Sequence, residues 1–342
     1  MTSCLKHIPP GVSMWPPVRP CHPQRVTRRH DLPAPSSLPR GLRATLLTML
    51  SGDPHGDPPW VQAISDGEDE GYFGPDSAVW FVNGGNPVMV AGVIALLLQT
   101  LHPGAMAGVH DHSRFRVDPL GRLAGTVRWV VTVSFGSTTT VSDELARVSR
   151  MHQSVTGSYD ASGKTKTYRA ADPELIHWVH TVFTYAFLTA HRVYGTPIPA
   201  GSFPSGEDRY VAEWATAGEL MGDPSPPRSR AELDQALSDF RPSLLNDQRV
   251  LEAQRFILRP PLPRNTRLGY RLLAAGAVAA LDPEYRRLLG LRRPWWPAIT
   301  GTKVLLFLIR TILGESTTQR RARERVERLS KTPPAEGKPQ QG

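Results

Sequence analysis

The chain has 342 residues and a formal charge of +9, and it is long enough to bury the core of one large domain or two small ones. Its basic residues are concentrated at the ends: seven Lys and Arg against one acidic residue in 1–45, and seven against three in 316–342. The stretch between them is close to neutral. Since a nucleic-acid-binding protein carries its basic side chains on the folded surface, we expect no nucleic acid partner.

The N-terminal residues predict a disordered tail. Nine prolines fall within residues 1–45, and we assign residues 1–48 to a Pro/Arg-rich segment without a fold. Both cysteines, Cys4 and Cys21, lie in this tail, so the body has no disulfide framework and no cysteine-based zinc site. The residues after Arg29 lack the apolar stretch of a signal peptide, so we expect a cytoplasmic protein.

The body, residues 50–315, is predicted to be one all-α domain. Residues 87–101 are small or apolar on every face of a helix, which is typical of a buried helix. This run is shorter than the roughly 20 residues that span a bilayer, so we expect no transmembrane segment. Peripheral contact with a membrane is compatible with the sequence. The β-branched residues within 120–135 also suit a strand, but we interpret this segment as a helix.

Capping residues indicate the helix boundaries farther along the chain. Ser142 is a suitable N-cap for a helix that ends at Gly157, and Asp172 with Pro173 begins a long helix that ends at Gly195. The polar residues between these two helices are interpreted as a loop. Residues 316–342 are interpreted as a charged C-terminal tail, in which 316–331 form a charged helix with little apolar face. Five more helices are predicted, over 206–221, 229–238, 243–258, 266–280 and 298–313.

The sequence His110-Asp111-His112 raises the question of a metal site. On a helix the two histidines point about 200° apart, so they can share a metal only on a strand or in a loop. A zinc or iron site also needs a third ligand, and no HExxH-type pair follows. We favour the interpretation in which Asp111 and Ser113 cap the chain and one histidine forms a buried hydrogen bond.

Arg122 and Thr126 are four residues apart and share one face if their segment is helical. A guanidinium with a hydroxyl one turn away can bind an anionic group such as a carboxylate. From the spacing alone, an ordinary surface arginine and helix threonine are favoured.

His152 lies on the apolar stripe of its predicted helix, together with Val141, Leu145, Val148 and Val155. A histidine in this position is most often a hydrogen-bonded core residue, and otherwise an axial ligand of a buried haem.

The long helix from Asp172 to Gly195 carries His177, His180 and His191 loosely on one side. We interpret His177 and His191 as polar contacts with a neighbouring element, and the role of His180 stays open.

Four segments together resemble a known family. They are LLLQTLHPGAMAGVHDHSRF at 96–115, DPLGRLAGT at 118–126, RVSRMHQSVTG at 147–157 and YRAADPELIHWVHT at 168–181. In this order and spacing they resemble the MpaB-type oxygenases and rubber oxygenases (the latex-clearing proteins), over roughly residues 75–290.

This resemblance implies a globin-like, all-α domain around a buried b-type haem. It implies His152 as the axial iron ligand and places Arg122 and Thr126 in the haem pocket as catalytic and cofactor-binding residues. His112 and His180 are further candidates beside the cofactor. The implied reaction uses O₂ to oxidise or cleave an apolar, lipid or isoprenoid-like substrate. Rubber-cleaving members carry a lysine just before the threonine, whereas this chain has Gly125.

Two alternatives to a haem-dependent oxygenase stay open at this point. The first is a helical protein that binds lipid or haem without turnover, with which Gly125 is compatible. The second, less favoured, is a non-haem metalloenzyme that uses His110 and His112.

Overall fold

The computed structural model describes residues 37–113, 119–161, 163–262 and 264–331. These residues form an α-helical fold with one small two-stranded sheet, which confirms the predicted all-α class. The first helices are α1 (Ser37–Ser51), α2 (Pro59–Gln62), α3 (Ala78–Asn83), α4 (Val88–Gln99), α5 (Pro103–His112), α6 (Pro119–Phe135) and α7 (Thr138–Ser154). After strands β1 (Thr156–Ala161) and β2 (Lys164–Arg169) come α8 (Pro173–Tyr194), α9 (Gly206–Met221), α10 (Arg230–Phe240), α11 (Gln248–Leu258), α12 (Arg264–Ala280), α13 (Pro283–Leu288), α14 (Pro297–Leu313) and α15 (Thr317–Lys331).

Helices α4 and α8 pack against each other at the centre of the core. Helix α4 is buried on nearly every side, as its apolar sequence predicts, with Val90, Ile94 and Leu98 fully excluded from solvent. Helix α8 begins after Asp172, with Pro173 in its first turn, and ends at Gly195, as predicted. The surrounding helices complete one continuous apolar core around this pair.

The segment after α7 is a β-hairpin, whereas the sequence predicted a loop. Strands β1 and β2 pair antiparallel over six residues each, from Thr156 opposite Arg169 to Ala161 opposite Lys164. Five of the six residues of β2 are exposed, and Tyr168 is the buried exception. The apolar periodicity that marks a strand is therefore absent, because the hairpin buries only one side chain of this strand.

Helix α7 begins earlier than predicted. Ser137 is the N-cap, and its hydroxyl accepts a hydrogen bond from the Thr140 amide, while Ser142 lies inside the helix and donates to the Thr138 carbonyl. Serine and threonine repeat over 137–142, so several positions could have served as the cap. The helix ends at Ser154, and Gly157 belongs to β1.

The N-terminal segment predicted to be disordered up to residue 48 overlaps helix α1. This helix packs against α6 and α14. Leu47 lies so close to Gly56 that a Cβ added there would come within 2.7 Å of the leucine side chain. Leucines on one face of α1 thus pack against the rest of the protein. This packing stabilises a helix in a segment whose many prolines predicted disorder. Residues 1–36 lie outside the described part of the chain.

The charged helix predicted over 316–331 is observed at Thr317–Lys331, but it packs on the protein instead of forming a loose tail. Helix α15 packs on α6, on α2 and on a short 3₁₀ turn at Ala63–Ser65. Arg325 on this helix is fully buried. Its guanidinium donates to the carbonyl of Ile64 and to three more carbonyls, those of Asp69 at 3.1 Å, Glu70 at 3.3 Å and Phe135 at 2.9 Å. A strongly charged helix is therefore held mainly by polar contacts, which include those of buried Arg325 and the ion pair of Arg321 with Asp57 at 2.7 Å.

Among the described residues, no single helix is both long and apolar enough to cross a bilayer. Two strongly bent helix pairs, α4 with α5 and α14 with α15, have the length and apolar composition of a membrane span only when the two helices of each pair are counted together. Most residues of α4 are buried inside the protein.

We predict that Arg325→Met destabilises the fold by about 3 kcal/mol or more, because four carbonyls lose their donor and the bonds to those of Ile64 and Phe135 are buried. The free energy of unfolding in urea, followed by circular dichroism, measures this loss. Arg320→Met is the matched control, since this arginine on the same helix is 56% exposed and pairs only with exposed Glu324. Its expected loss is below about 0.5 kcal/mol. Equal losses in the two variants would show that α15 is not held by Arg325.

Candidate functional site

A cavity of about 230 Å³ lies between α5, α6, α7 and α8, and the β-hairpin closes one side. Its walls are mostly apolar. The apolar lining includes Val109, Trp129, Val148, Met151, Val179 and Phe183, and the polar lining includes Gln99, Ser113, Thr126, Arg147, His152 and His180. The cavity thus combines an apolar interior with a few polar groups, which is typical of a small-molecule or cofactor site.

The hairpin wall is held in place by Tyr168. Its ring is buried and packs with Ala107, Val155 and Leu175 in a small second core. The Tyr168 hydroxyl donates to Asp111 Oδ2 at 3.0 Å. Burial and this carboxylate raise the pKa of Tyr168 to about 12, so the phenol stays protonated and keeps its donor. A side chain at Gly108 would approach the Tyr168 ring to 3.4 Å, so α5 and the hairpin pack closely here.

The structure brings together three of the residues singled out in the sequence. Thr126 from α6, His152 from α7 and His180 from α8 all line the cavity. His152 is half-buried at the C-terminal end of its apolar stripe. Arg122 lies in α6 one turn before Thr126, as expected for a helix, but its side chain is outside the described part of the structure. Gly125 is part of the same wall.

His180 has the most unusual environment of the cavity histidines. The residue is 6% exposed, and burial lowers the pKa of its imidazole to about 4, so the ring is neutral at physiological pH. Gly218 on α9 leaves room for this ring, since a Cβ there would lie 3.0 Å from the imidazole. The His180 Nε2 atom is buried and has no hydrogen-bond partner among the described residues.

Two other buried polar atoms of the cavity wall are in the same situation. Ser113 Oγ and Trp129 Nε1 have no hydrogen-bond partner within the part of the chain that the structure describes. Because more than nine in ten buried polar groups in proteins are satisfied, three unsatisfied atoms around one cavity point to a bound group that would contact them.

The Asp223 carboxylate lies near His180, outside the cavity lining. Asp223, which follows the left-handed Gly222 at the end of α9, accepts a hydrogen bond from His177 Nδ1 at 2.9 Å. The burial of this carboxyl opposes ionisation, but hydrogen bonds from His177 and the Ser225 amide lower its pKa overall. His177 therefore has the polar neighbour that the sequence predicted. His191, for which the same was predicted, is instead buried and hydrogen-bonded to the Thr196 carbonyl at 2.7 Å.

The α7 side of the cavity contains a buried ion-pair group. Glu144 is only 2% exposed and bonds to Arg128 Nε at 2.8 Å and to Arg147 Nη2 at 2.5 Å. Its position on the helix lies away from the apolar stripe of Val141, Leu145 and Val148, where exposed charges are usual. It is buried because two arginines compensate its charge, and Arg147 in turn lines the cavity.

His110 and His112 lie on α5 and have different partners. His110 Nδ1 contacts Asp111 at 2.9 Å and its Nε2 faces Glu252 at 3.7 Å, whereas His112 Nε2 contacts the Thr156 carbonyl at 3.0 Å. No group of three potential ligand side chains that could hold a metal ion occurs among the described residues. The helix thus directs the two rings apart. The predicted capping interpretation holds only in that Ser113 ends the helix, because Asp111 accepts a hydrogen bond from Tyr168 instead and both histidines are partly exposed.

Several wall residues were not identified from the sequence. Trp129, Arg147 and Gln99 contribute polar atoms to the cavity, and Asp223 and Glu144 lie behind it. Of these, only Asp223 had a usable signal, because the Gly-Asp-Pro sequence at 222–224 is typical of a helix C-terminus.

A family model described as "ER-bound oxygenase mpaB/B'/Rubber oxygenase, catalytic domain" matches residues 80–311. The match covers more than half of the chain and extends from α3 to α14. The chain belongs to this family. A search of curated proteins and of solved structures gives no significant match.

The resemblance found in the sequence is therefore confirmed, and this MpaB/rubber oxygenase is an oxidoreductase. Family membership favours an oxygenase over a helical protein without turnover. The cavity lies inside the matched region, and every residue that lines it falls between 99 and 221. It is therefore the candidate active site of this oxygenase.

We predict that His180 makes the stability of the protein pH-dependent. Its pKa is about 4 in the folded state and 6.5 as the ordinary value, so the unfolded chain binds more protons between these values. The stabilisation is complete above about pH 6.5 and is lost as the pH falls towards 4, by on the order of 3 kcal/mol. His180→Gln should flatten this part of the curve of unfolding free energy against pH.

Burial also lowers the pKa of His102 and His191, so the variant should keep a smaller slope of the same sign. His110→Gln serves as the control and should retain the full wild-type slope, because His180 is intact. If the His180 and His110 variants showed the same slope, the buried, neutral state of His180 would be wrong.

Proposed function

We propose that this oxygenase would hold a b-type haem in the cavity, with His152 as the residue that would bind the iron. The observation that carries the proposal is the set of three unsatisfied polar atoms around a mostly apolar cavity, on Ser113, Trp129 and His180. A haem is a largely apolar group with a metal and a few polar edges. It suits such a lining better than water or an ion does.

The residues of the cavity fit a haem in chemical type. His152 and His180 supply imidazoles from two different helices, and apolar side chains form most of the remaining wall. Arg147 supplies a guanidinium at the cavity, next to Glu144. A haem requires one nitrogen ligand, apolar contacts for its ring and cations near its propionates, and these residue types are present.

The haem, when bound, supplies the redox chemistry by which O₂ is used. The remaining functions belong to the chain. His152 would hold the iron, as the resemblance of its sequence segment to the family implies. Thr126 would donate a hydrogen bond within the pocket, and Arg122 would contact an anionic group. His180, kept neutral by burial, would present a ring nitrogen to the bound group without adding charge to the apolar interior.

The substrate that the walls favour is apolar, of the lipid or isoprenoid class. Val109, Met151, Val179 and Phe183 offer contact surfaces without hydrogen-bonding groups, and they would exclude water from the reaction. The same property disfavours a polar substrate such as a sugar, whose hydroxyls would lose their hydration without replacement.

We predict that His152→Ala abolishes stoichiometric haem binding. The wild-type chain, produced with an adequate haem supply, should show a Soret band and bind one haem per chain. The loss in the variant follows from the loss of the iron ligand. Because the missing ring also leaves a cavity and lowers stability by about 1–3 kcal/mol, circular dichroism should first confirm that the variant is folded.

His110→Ala is the matched control, since this histidine lies on a neighbouring helix but does not line the cavity, and it should keep the full Soret band. His180→Ala should keep the bound haem with an altered spectrum. A folded His152→Ala protein with an unchanged Soret band would overturn the ligand assignment. If only His180→Ala lost the haem, the iron ligand would be His180. A wild-type chain that never bound haem would overturn the proposal as a whole.

The substrate class is tested separately. The haem-loaded protein, supplied with a reductant and O₂, should convert components of a total lipid extract to products that mass spectrometry identifies by their added oxygen. Products found only in the water-soluble fraction of a cell extract would contradict an apolar substrate.

A further inference from the structure

Exposed apolar side chains are concentrated on one part of the protein surface. Six large apolar residues among those described have half or more of their surface exposed, and all of them lie between 268 and 308. They are Leu268 at 78%, Trp295 at 77%, Trp296 at 75%, Phe307 at 67%, Val304 at 54% and Leu308 at 50%, and we refer to them as the WF face. The next most exposed residues elsewhere reach only 39%. Single exposed apolar residues are common, but a cluster marks an interaction surface.

The helical repeat explains why these residues share a face. On α14, Val304, Phe307 and Leu308 are three and four residues apart and point outward, while Thr302, Leu306 and Ile309 are buried on the opposite side. Trp295 and Trp296 immediately precede the helix, with their rings 6.0 Å apart. From Trp296 to Leu308 the WF face extends along the helix for about 18 Å.

Leu268 joins this face from the neighbouring helix. Helix α12 packs against α14, and the Thr302 hydroxyl donates to the Leu272 carbonyl at 3.0 Å. A Cβ at Gly269 would lie 3.7 Å from Leu305, so Leu268 is at the level of the C-terminal half of α14. The WF face therefore runs across the seam between the two helices.

Basic side chains border the WF face on both sides. On α14, Lys303 and Arg310 are seven residues apart and lie at the margin away from α12. On α12, Arg264, Arg267 and Arg271 lie on the other side of Leu268, and a cavity of about 230 Å³ opens between Arg267, Arg271 and the preceding Arg259. Arg292 and Arg293 precede the tryptophans and are exposed.

These basic groups are not neutralised by the protein. The sequence has no acidic residue from 259 to 281 or from 285 to 313. None of the seven exposed basic side chains bordering the WF face forms an ion pair among the described residues; these are Arg264, Arg267, Arg271, Arg292, Arg293, Lys303 and Arg310. Apolar side chains with paired tryptophans, surrounded by unneutralised cations, are the pattern of a helix that lies in the interface of an anionic membrane.

We propose that the WF face binds the surface of an anionic phospholipid bilayer, with α14 lying in the plane of the interface. The tryptophans and Phe307 would enter the boundary between headgroups and acyl chains, and the bordering arginines would contact lipid phosphates. A second copy of the chain fits this face less well, because two-fold association would bring Arg292, Arg293 and Lys303 of one copy towards the same cations of the other. This proposal does not depend on haem binding.

Co-sedimentation of the full chain with vesicles tests the proposal. The wild type should bind phosphatidylcholine vesicles that contain phosphatidylglycerol, and bind vesicles of phosphatidylcholine alone roughly tenfold or more weakly. Binding should fall at high salt, because it depends on charge. The triple variant Trp295→Ser/Trp296→Ser/Phe307→Ser and the charge variant Arg292→Glu/Arg293→Glu/Lys303→Glu should each lose at least roughly tenfold in affinity for the anionic vesicles.

Two control variants match these changes at other sites. Phe203→Ser/Leu251→Ser removes apolar residues that are exposed outside the WF face, and Lys164→Glu/Lys166→Glu reverses two exposed charges on β2. Both should bind like the wild type. Vesicles with brominated acyl chains should quench the fluorescence of the wild type, and this quenching should disappear when Trp295 and Trp296 are replaced.

Three results would overturn the proposal. The first is failure of the wild type to bind anionic vesicles. The second is equal binding by the WF-face variants and their controls, which would assign the binding to another basic segment. The third is a pair of observations: light scattering shows a wild-type dimer that Phe307→Ser converts to a monomer, and brominated lipid does not quench the fluorescence. Together they would make the WF face an interface between copies of the chain.

Discussion

The candidate site depends on the packing of α8 against α4. Most residues of α8 from Leu175 to His191 are buried, so this helix has little freedom to move without disrupting the core. One side of it carries Trp178, which packs with Phe240 and reaches the Gln99 carbonyl of α4 at 3.5 Å. The other side presents Val179, His180 and Phe183 to the cavity. The residues that line the cavity from this helix are therefore held in fixed positions, as a functional site requires.

The sequence predicted the helices that have an apolar periodicity or a clear cap. Helices α4, α8, α9 and α14 lie within a few residues of their predicted bounds, because each combines core-facing side chains with proline, serine or glycine at its ends. Three site residues were predicted for a related reason. Thr126, His152 and His180 occur at fixed positions within segments whose order resembles that of the family, and the fold brings all three to one cavity. That His152 binds iron stays a prediction.

The remaining features were not predictable because they depend on contacts between distant parts of the chain. Helix α15 has almost no apolar face, and its position follows from polar contacts such as those of Arg325 with carbonyls more than 180 residues earlier in the sequence. Glu144 resembles any exposed helix acid until Arg128 and Arg147 are placed beside it. The β-hairpin likewise has an exposed, polar sequence. In each case the stabilising partner is polar, and the periodicity of apolar residues contains no information about it.

The proposed substrate class and the proposed role of the WF face are related. A cavity whose walls offer mainly apolar contacts binds molecules that partition out of water, and such molecules are concentrated in membranes rather than in solution. An oxygenase acting on them gains from residence at a bilayer, because the local concentration of substrate there exceeds its solubility in water. The two features are nevertheless physically separate. The cavity depends on the packing of α5 to α8, and the WF face on the outer sides of α12 and α14, so either can be altered while the other stays intact. A variant that no longer binds vesicles but still oxidises a detergent-solubilised substrate would therefore separate delivery of the substrate from the reaction itself.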